Sequence, residues 1–322
     1  MPQADAADHA RIAIVGGGSI GTAWAVVFAR AGRPVAVYEP DPERRAAAAR
    51  EMRAHLADLA GFGLLGEPAE AAARATFTGD LAQALAGAAH VQECAPENLA
   101  LKQELLAALD RAAPPGAVIA SSSSAITASA MAGDLPGRHR CLVVHPGNPP
   151  TLLRAVEVVP APFTEPDAVR RTMALLEAAG MAPVLVRREI EGFVFNRLQG
   201  ALLREAYCLV RDGVVAVEDV DRIVREGLGP RWSVIGPFET ADLNTRGGIA
   251  AHAARMGPAY ARMGAERGQD DPWTPDLVAE VERQRRALLP IERWAERVAW
   301  RDRRLMALAR AKAEAEERGA SG

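Results

Sequence analysis

Residues Arg11–Glu39 run RIAIVGGGSIGTAWAVVFARAGRPVAVYE. Ile12–Val15 is an apolar run too short for a helix, and it suits a strand buried on both faces, as a parallel sheet requires. Gly16, Gly18 and Gly21 follow as G-x-G-x-x-G. The first glycine permits a tight turn, the second lets backbone approach a pyrophosphate, and the third lets the next helix pack closely on the strand. A pyrophosphate belongs at the amino end of that helix, within the turn Gly16, Gly17, Gly18, Ser19, Ile20 and Gly21, where free N–H groups and the helix dipole favour an anion. A second strand, Val35–Tyr38, ends at Glu39, 18 residues beyond Gly21, which matches the acidic partner of an adenosine ribose. A lone G-x-G-x-x-G also fits a plain strand-to-helix turn. Strand, helix, second strand and terminal acid in one unit point instead to a dinucleotide, and Glu39 to NAD over NADP because its carboxylate repels a 2′-phosphate. Arg44 and Arg45, just beyond, are the counter-argument.

At 322 residues the chain is long enough for two domains and a large core. A formal charge of -3 and a pI near 6.1 show no basic excess, which argues against nucleic acid or an anionic membrane as partner. Cys94, Cys141 and Cys208 are odd in number and widely spaced, so neither a disulfide framework nor a metal site is expected, and they suit a reduced compartment. The amino-terminal MPQADAADHA has no basic start and no apolar core, and no apolar run approaches a membrane span. A cytoplasmic protein is the expectation. Lys102 and Lys312 are the two lysines among 38 basic residues, so arginine runs such as Arg44-Arg45 read as solvated helix faces, whereas Lys102 stands out.

From Pro42 to about Ala73 the spacing predicts a helical pair broken near Gly61, Gly63 and Gly66. Thr76–Thr78 and His90–Cys94 read as strands, with a short helix over Leu81–Ala86 between them. In ECAPENLALKQELLAALDRAA a helix begins near Asn98, which puts Glu97 and Lys102 at a strand-to-helix junction, the edge where doubly wound sheets bind ligands. Ala117–Ala120 is a strand followed by Ser121–Ser124, a run that also suits a simple turn and cap. Cys141–Val144 and Ala155–Val159 flank a proline-rich turn, with His145 closing the first strand and Glu157 inside the second. After a helix over Pro166–Gly180 and a last strand, Ala182–Val186, only helical periodicity follows, over Glu189–Arg211, Glu218–Glu226 and most of Asp276–Glu317. The fold class is therefore α/β, a Rossmann-type doubly wound, mostly parallel sheet over residues 1–187, with an all-α second domain over 188–322. The last residues, AKAEAEERGASG, read as a frayed helix end.

The ordered series IVGGGSIGTAWAVVFA, QECAPENLALK, SSSSAIT, VVHPGNPP, AVEVVP, EGFVFNRLQ, EGLGPRW, GPFET and RWAERVAWRD resembles the 3-hydroxyacyl-CoA dehydrogenase family, and most closely its branch containing lambda-crystallin and L-gulonate 3-dehydrogenase. The resemblance implies NAD-dependent oxidation of a small L-3-hydroxy acid such as L-gulonate, by a homodimer joined through the helical domain. L-3-Hydroxyacyl-CoA and carnitine-type 3-hydroxy acids are the alternative substrates, and a non-catalytic crystallin-like protein is the alternative of another class. By the same resemblance His145 is the catalytic base held by Glu157, Ser124 and Asn196 contact the substrate oxygen, and Ser124, Glu97, Lys102 and Asn148 contact the cofactor. Gly147 stands where that branch has an apolar residue. Arg231, in a stretch longer than in the acyl-CoA enzymes, is the expected partner of a substrate carboxylate.

These residue types suit the chemistry. Oxidising a secondary alcohol needs a base for the hydroxyl proton as hydride leaves the adjacent carbon, and histidine titrates close to working pH. A carboxylate on its other nitrogen fixes the tautomer and stabilises the imidazolium.

Overall fold

Alternation along β1 (Arg11–Val15) sends Ile12 and Ile14 into one apolar layer and Ala13 and Val15 into another, which is how a strand covered by helices on both faces behaves. This computed structural model describes residues 11–233, 236–244 and 248–268, and individual residues between 276 and 314. The amino-terminal decapeptide, most of RWAERVAWRD and most of the carboxyl-terminal tail lie outside the described residues.

The remaining strands are β2 (Val35–Tyr38), β3 (Ala75–Thr78), β4 (Ala88–Glu93), β5 (Val118–Ser121), β6 (Cys141–Pro146), β7 (Ala155–Pro160) and β8 (Ala182–Leu185). They form one eight-stranded sheet in the order β3-β2-β1-β4-β5-β6-β7-β8, parallel throughout except where β7 runs against β6. The helices between them are α1 (Ser19–Arg30), α2 (Pro42–Gly61), α3 (Pro68–Ala73), α4 (Leu81–Leu85), α5 (Leu99–Ala112), α6 (Ala128–Ala132) and α7 (Pro166–Ala178). Trp24 and Phe28 of α1 stack at 5.3 Å and anchor one apolar layer, while Leu106 and Leu109 of α5 fill the other. The doubly wound, mostly parallel sheet expected from the sequence is present.

This topology collects the loops that leave β1, β2, β4, β5 and β6 along one edge of the sheet. In sequence these are the glycine turn, Glu39, Ala95–Glu97, Ser122–Ser124 and Gly147–Asn148. β1 lies between β2 and β4, so the chain changes direction there, which is where open α/β sheets open a ligand crevice.

The chain divides into two compact units, Met1–Arg197 with Trp300–Gly322, and Leu198–Ala299. Contacts of the first unit run on past Arg187 because Glu157 of β7 accepts the backbone N–H groups of Val194 and Phe195. The second unit is helical in its described elements. It takes in most of α8 (Phe195–Arg211), then Val217–Ile223, Gly229–Trp232, Pro237–Leu243 and Gly248–Arg267. Within it, Arg267 donates to Glu205 and Asp212 and so ties α8 to the Gly248–Arg267 helix.

Candidate active site

Each glycine of the first turn is needed for a different reason. Gly16 adopts φ +112, and a Cβ there would lie 2.9 Å from the Cys94 carbonyl oxygen; a Cβ on Gly21 would lie 1.9 Å from the Gly16 carbonyl oxygen. Gly21 is thus where α1 packs against the turn. A Cβ on Gly18 would meet nothing within 4 Å. Gly18 is also the N-cap of α1, with no side-chain cap and no acidic residue in the first turn. An uncapped, electropositive helix start facing open space fits a pyrophosphate, and a dinucleotide would be held there by Gly18, Ser19, Ile20 and Gly21, the Gly17 N–H being donated to Glu39.

The carboxylate of Glu39 is fixed at the end of β2. Its Oε2 accepts the Gly17 N–H at 2.8 Å and its Oε1 the Asp41 N–H at 3.1 Å. The two arginines that could have met a 2′-phosphate are engaged elsewhere. Arg44 donates from Nε to the Gly17 carbonyl at 2.8 Å and from its terminal nitrogens to Glu51, and Arg45 donates to the Glu39 carbonyl at 2.7 Å.

The serine run resolves into four different environments. Ser121 donates to Glu93 Oε2; Ser122 Oγ receives the Trp24 indole N–H at 3.1 Å and the Gln92 amide at 2.7 Å; Ser123 donates to Glu97 Oε1 at 2.6 Å. Ser124 is exposed, and its backbone carries its contacts: the N–H donates to Glu97 Oε1 at 3.0 Å and the carbonyl accepts Asn196 Nδ2 at 2.9 Å. Three hydroxyls build the turn, and the fourth is presented at the sheet edge.

Of the two residues expected at the cofactor, Lys102 has its ammonium engaged within the protein, whereas Glu97 accepts bonds at Oε1 and its side chain is 41% exposed. Lys102 is 1% exposed, and its ammonium donates to both oxygens of Glu93 at 2.9 Å and to the Ala95 carbonyl at 3.0 Å. These three acceptors match its three N–H donors. Burial pushes the Glu97 carboxyl upward, but the Ser123 hydroxyl, the Ala125 N–H and the Lys102 charge outweigh it and hold the group below the ordinary carboxylate value.

β6 runs two residues further than the sequence predicts, to Pro146, so His145 sits inside the antiparallel ladder in direct register with Glu157. Cross-strand partners share a face. His145 Nδ1 lies 2.8 Å from Glu157 Oε2, and both residues are 6% exposed. The other oxygen, Oε1, accepts the N–H groups of Val194 at 2.7 Å and Phe195 at 3.0 Å. Those amides are aimed by a left-handed turn, Gly192 at φ +72 followed by Phe193 at φ +49. Phe193 is fully buried and packs its ring 5.6 Å from the imidazole, which compensates a conformation costing about 1–2 kcal/mol in a residue with a side chain. Burial would raise the Glu157 carboxyl, but the bonds from His145, Phe195 and Val194 bring it below the ordinary value. An ionised carboxylate on Nδ1 fixes the tautomer that leaves Nε2 to take a proton.

A family model for the 3-hydroxyacyl-CoA dehydrogenase NAD binding domain matches residues 11–190, and one for the C-terminal domain of the same enzymes matches residues 192–288. The chain belongs to the 3-hydroxyacyl-CoA dehydrogenase family. It is thus an NAD-dependent dehydrogenase acting on a CH–OH group. A lambda-crystallin homolog of Bos taurus is 39% identical over 307 residues, covering 94% of this chain and 95% of the relative. An L-carnitine dehydrogenase of Streptomyces coelicolor is 39% identical over 277 residues, covering 85% of this chain and 83% of the relative. Among solved structures, 5-formyl-3-hydroxy-2-methylpyridine 4-carboxylic acid 5-dehydrogenase, an NAD+-dependent dismutase, superposes with a TM-score of 0.76 at 27% identity, over 94% of this chain and 98% of its own.

For a member of the 3-hydroxyacyl-CoA dehydrogenase family, the remaining expected residues are placed as follows. Asn196 joins the Ser124 turn as described, and Asn148 is exposed in the loop after β6. Gly147 is buried; a Cβ there would meet the Ala155 carbonyl, Leu153 and the Phe195 ring at 3.4–3.5 Å, an ordinary contact distance. Arg231 is exposed on the short helix Gly229–Trp232 of the second unit. Sequence reasoning missed Glu93, the buried counter-ion of Lys102. The signal was present as a glutamate ending a strand with a lysine nine residues on, one helical turn into α5.

Proposed function

We propose that the protein oxidises a small L-3-hydroxy acid to its 3-keto form, and catalyses the reverse reduction, with His145 as general base. The observation that carries this reading is the buried His145–Glu157 pair at the exit of β6, with Nε2 left for the substrate hydroxyl. Bound NAD supplies the hydride acceptor. His145 takes the hydroxyl proton at Nε2, and the carboxylate of Glu157 stabilises the imidazolium that forms. The Ser124 hydroxyl and the second N–H of Asn196 donate to the reacting oxygen as its charge develops. Glu39 and the glycine turn hold the adenosine and pyrophosphate side of the cofactor, and Asn148 lies in the neighbouring loop.

A free acid is favoured over a thioester on two grounds. Arg231 presents the paired donors that match a carboxylate. L-Carnitine, after which a dehydrogenase 39% identical to this chain is named, is itself a 3-hydroxy acid. Cytoplasmic residence agrees with the three free thiols, and assembly as a homodimer agrees with apolar side chains left exposed in the helical unit, among them Leu198, Val214 and Ile223. NADH absorbance over a panel of free L-3-hydroxy acids, L-gulonate and L-carnitine included, and their CoA thioesters tests the reading. Turnover of at least one free acid, with a severely raised KM in Arg231→Met, is expected. Turnover of thioesters alone moves the protein to the acyl-CoA branch.

A further inference from the structure

Arg30, in the last turn of α1, and Arg154, at the end of the loop 147–154, line one pocket of about 430 Å³ together with Thr151, Leu64, Leu65 and Leu152. A cavity of that size, with an apolar wall and a few convergent polar groups, has the build of a small-molecule site. Burial, and after it the charge of Arg154, hold the Arg30 guanidinium below its ordinary value. Among the described residues no carboxylate pairs with either guanidinium. One positive charge at the end of α1 suits the helix dipole. A second one brought against it does not follow from that, because like charges repel and a charge drawn out of water is costly unless it is paired.

We infer that this pocket binds a small oxyanion, a carboxylate or a phosphoryl group, between the two guanidinia. Each arginine has one donor engaged: Arg30 Nη1 bonds the Thr151 carbonyl and Arg154 Nε the Gly180 carbonyl, both at 2.8 Å. A guanidinium carries five N–H donors in a planar fork, so the rest of each fork remains to meet an oxyanion, with bonds roughly twice as strong as neutral ones. Thr151 is 3% exposed, and its Oγ1 has no hydrogen-bond partner among the described residues. Buried hydroxyls are ordinarily partnered, and a ligand oxygen at this wall supplies what Thr151 lacks. The apolar part of an organic ligand would lie against Leu64, Leu65 and Leu152. Its charge cancels the repulsion between the arginines and ties α1 to the loop that runs from the His145 strand to Arg154.

Thermal unfolding tests the site, with saturating NADH to fill the glycine turn and with inorganic phosphate or hexanoate replacing chloride at fixed ionic strength. Wild-type Tm should rise with the concentration of the oxyanion, as it does for any ligand that binds only the folded state. Arg154 is exposed, so Arg154→Gln should fold. Its dissociation constant for the same probe, read from the Tm series, should be raised about 10-fold or more. Arg30→Gln should behave alike, and Arg154→Gln carries the test if Arg30→Gln does not fold. Hexanoate bound at the substrate site would raise the Tm of wild type and Arg154→Gln equally, so the difference between the two proteins reports this pocket. A larger difference with hexanoate assigns an organic carboxylate seated on the leucines, and a larger one with phosphate assigns a phosphoryl group; both support the site. An arginine with a purely structural role would shift Tm by the same amount with and without the probe. That pattern, or no response of the wild type to either probe, would overturn the inference. No turnover is read, so the outcome is separate from the success or failure of the proposed reaction.

Discussion

Lys102 Nζ lies 2.9 Å from both carboxylate oxygens of Glu93, and neither side chain is more than 1% exposed. The pair joins α5 to the ends of β4 and β5, because Glu93 also accepts the Ser121 hydroxyl and the Ala95 N–H. Removing one member of a buried pair leaves an uncompensated charge, which costs about 3–5 kcal/mol, whereas replacing both by uncharged groups of similar volume is far milder. Lys102→Ala should therefore lower Tm by about 10 °C. The double replacement Glu93→Gln with Lys102→Met should recover most of that loss. A Lys102→Ala protein with wild-type Tm and weakened NAD binding would return Lys102 to the cofactor.

The glycine turn offers two alanine substitutions with opposite signatures. Gly18 has φ -69 and open space beyond its Cα, so Gly18→Ala should fold with stability within about 0.5 kcal/mol of wild type. Its methyl group then occupies the pyrophosphate site, and NADH affinity should fall about 10-fold or more, a loss of ~1.4 kcal/mol per decade. In Gly21→Ala the new Cβ would overlap backbone, 1.9 Å from the Gly16 carbonyl oxygen, so α1 must shift. Denaturant unfolding should show a loss of about 1–3 kcal/mol or more. Equal effects of the two substitutions on stability would contradict this assignment of the turn.

Preference for NAD over NADP should reside in Glu39, since Arg44 is committed to Gly17 and Glu51. Glu39→Ser should raise kcat/KM for NADP relative to NAD. Adding Glu51→Gln, which frees the Arg44 guanidinium, should move the ratio further in the same direction. Wild-type efficiency with NADP equal to that with NAD would remove the role given to Glu39.

Glu157 predicts a pH signature. Its carboxyl is depressed in the folded protein, so it contributes stability above its unfolded value of about 4.3 and loses it as pH falls through the lower folded value. In a urea unfolding series against pH, the gap between wild type and Glu157→Gln should be widest near neutrality and should narrow below about pH 4. A gap independent of pH would mean that Glu157 titrates alike in the folded and unfolded protein, and a gap that closes as pH rises above about 4.3 would mean that it is held as a neutral acid.

Much of this was legible locally. The glycine turn, Glu39 and the buried strands follow from residues close together in sequence, because turn conformation and strand patterning are set over a few positions. The 12-residue spacing of His145 and Glu157 suggested a pairing but left the register open; the register depends on how the turn at 147–154 closes, and it put His145 within β6. Lys102 and Glu97 stood out by position, but their neighbours did not. Their contacts come from Glu93 on β4 and from the loop after β5, where the residues bonded to Glu97 lie 26 or more positions from it, and burial of a lysine is decided by that assembly. The amides of Val194 and Phe195 on Glu157 were unreadable for a related reason, since they require a positive φ at Phe193 that sequence pattern does not announce.

The claim on which the rest depends is that His145 takes the proton. NADH formation by His145→Gln, measured with whichever 3-hydroxy acid the wild-type enzyme oxidises fastest, tests it most directly, with NADH binding titrated in parallel. Loss of the base should lower kcat by about 10²–10⁴-fold. NADH affinity should stay at the wild-type value, because the cofactor is held by Glu39 and the glycine turn. A His145→Gln enzyme with wild-type kcat would contradict the account.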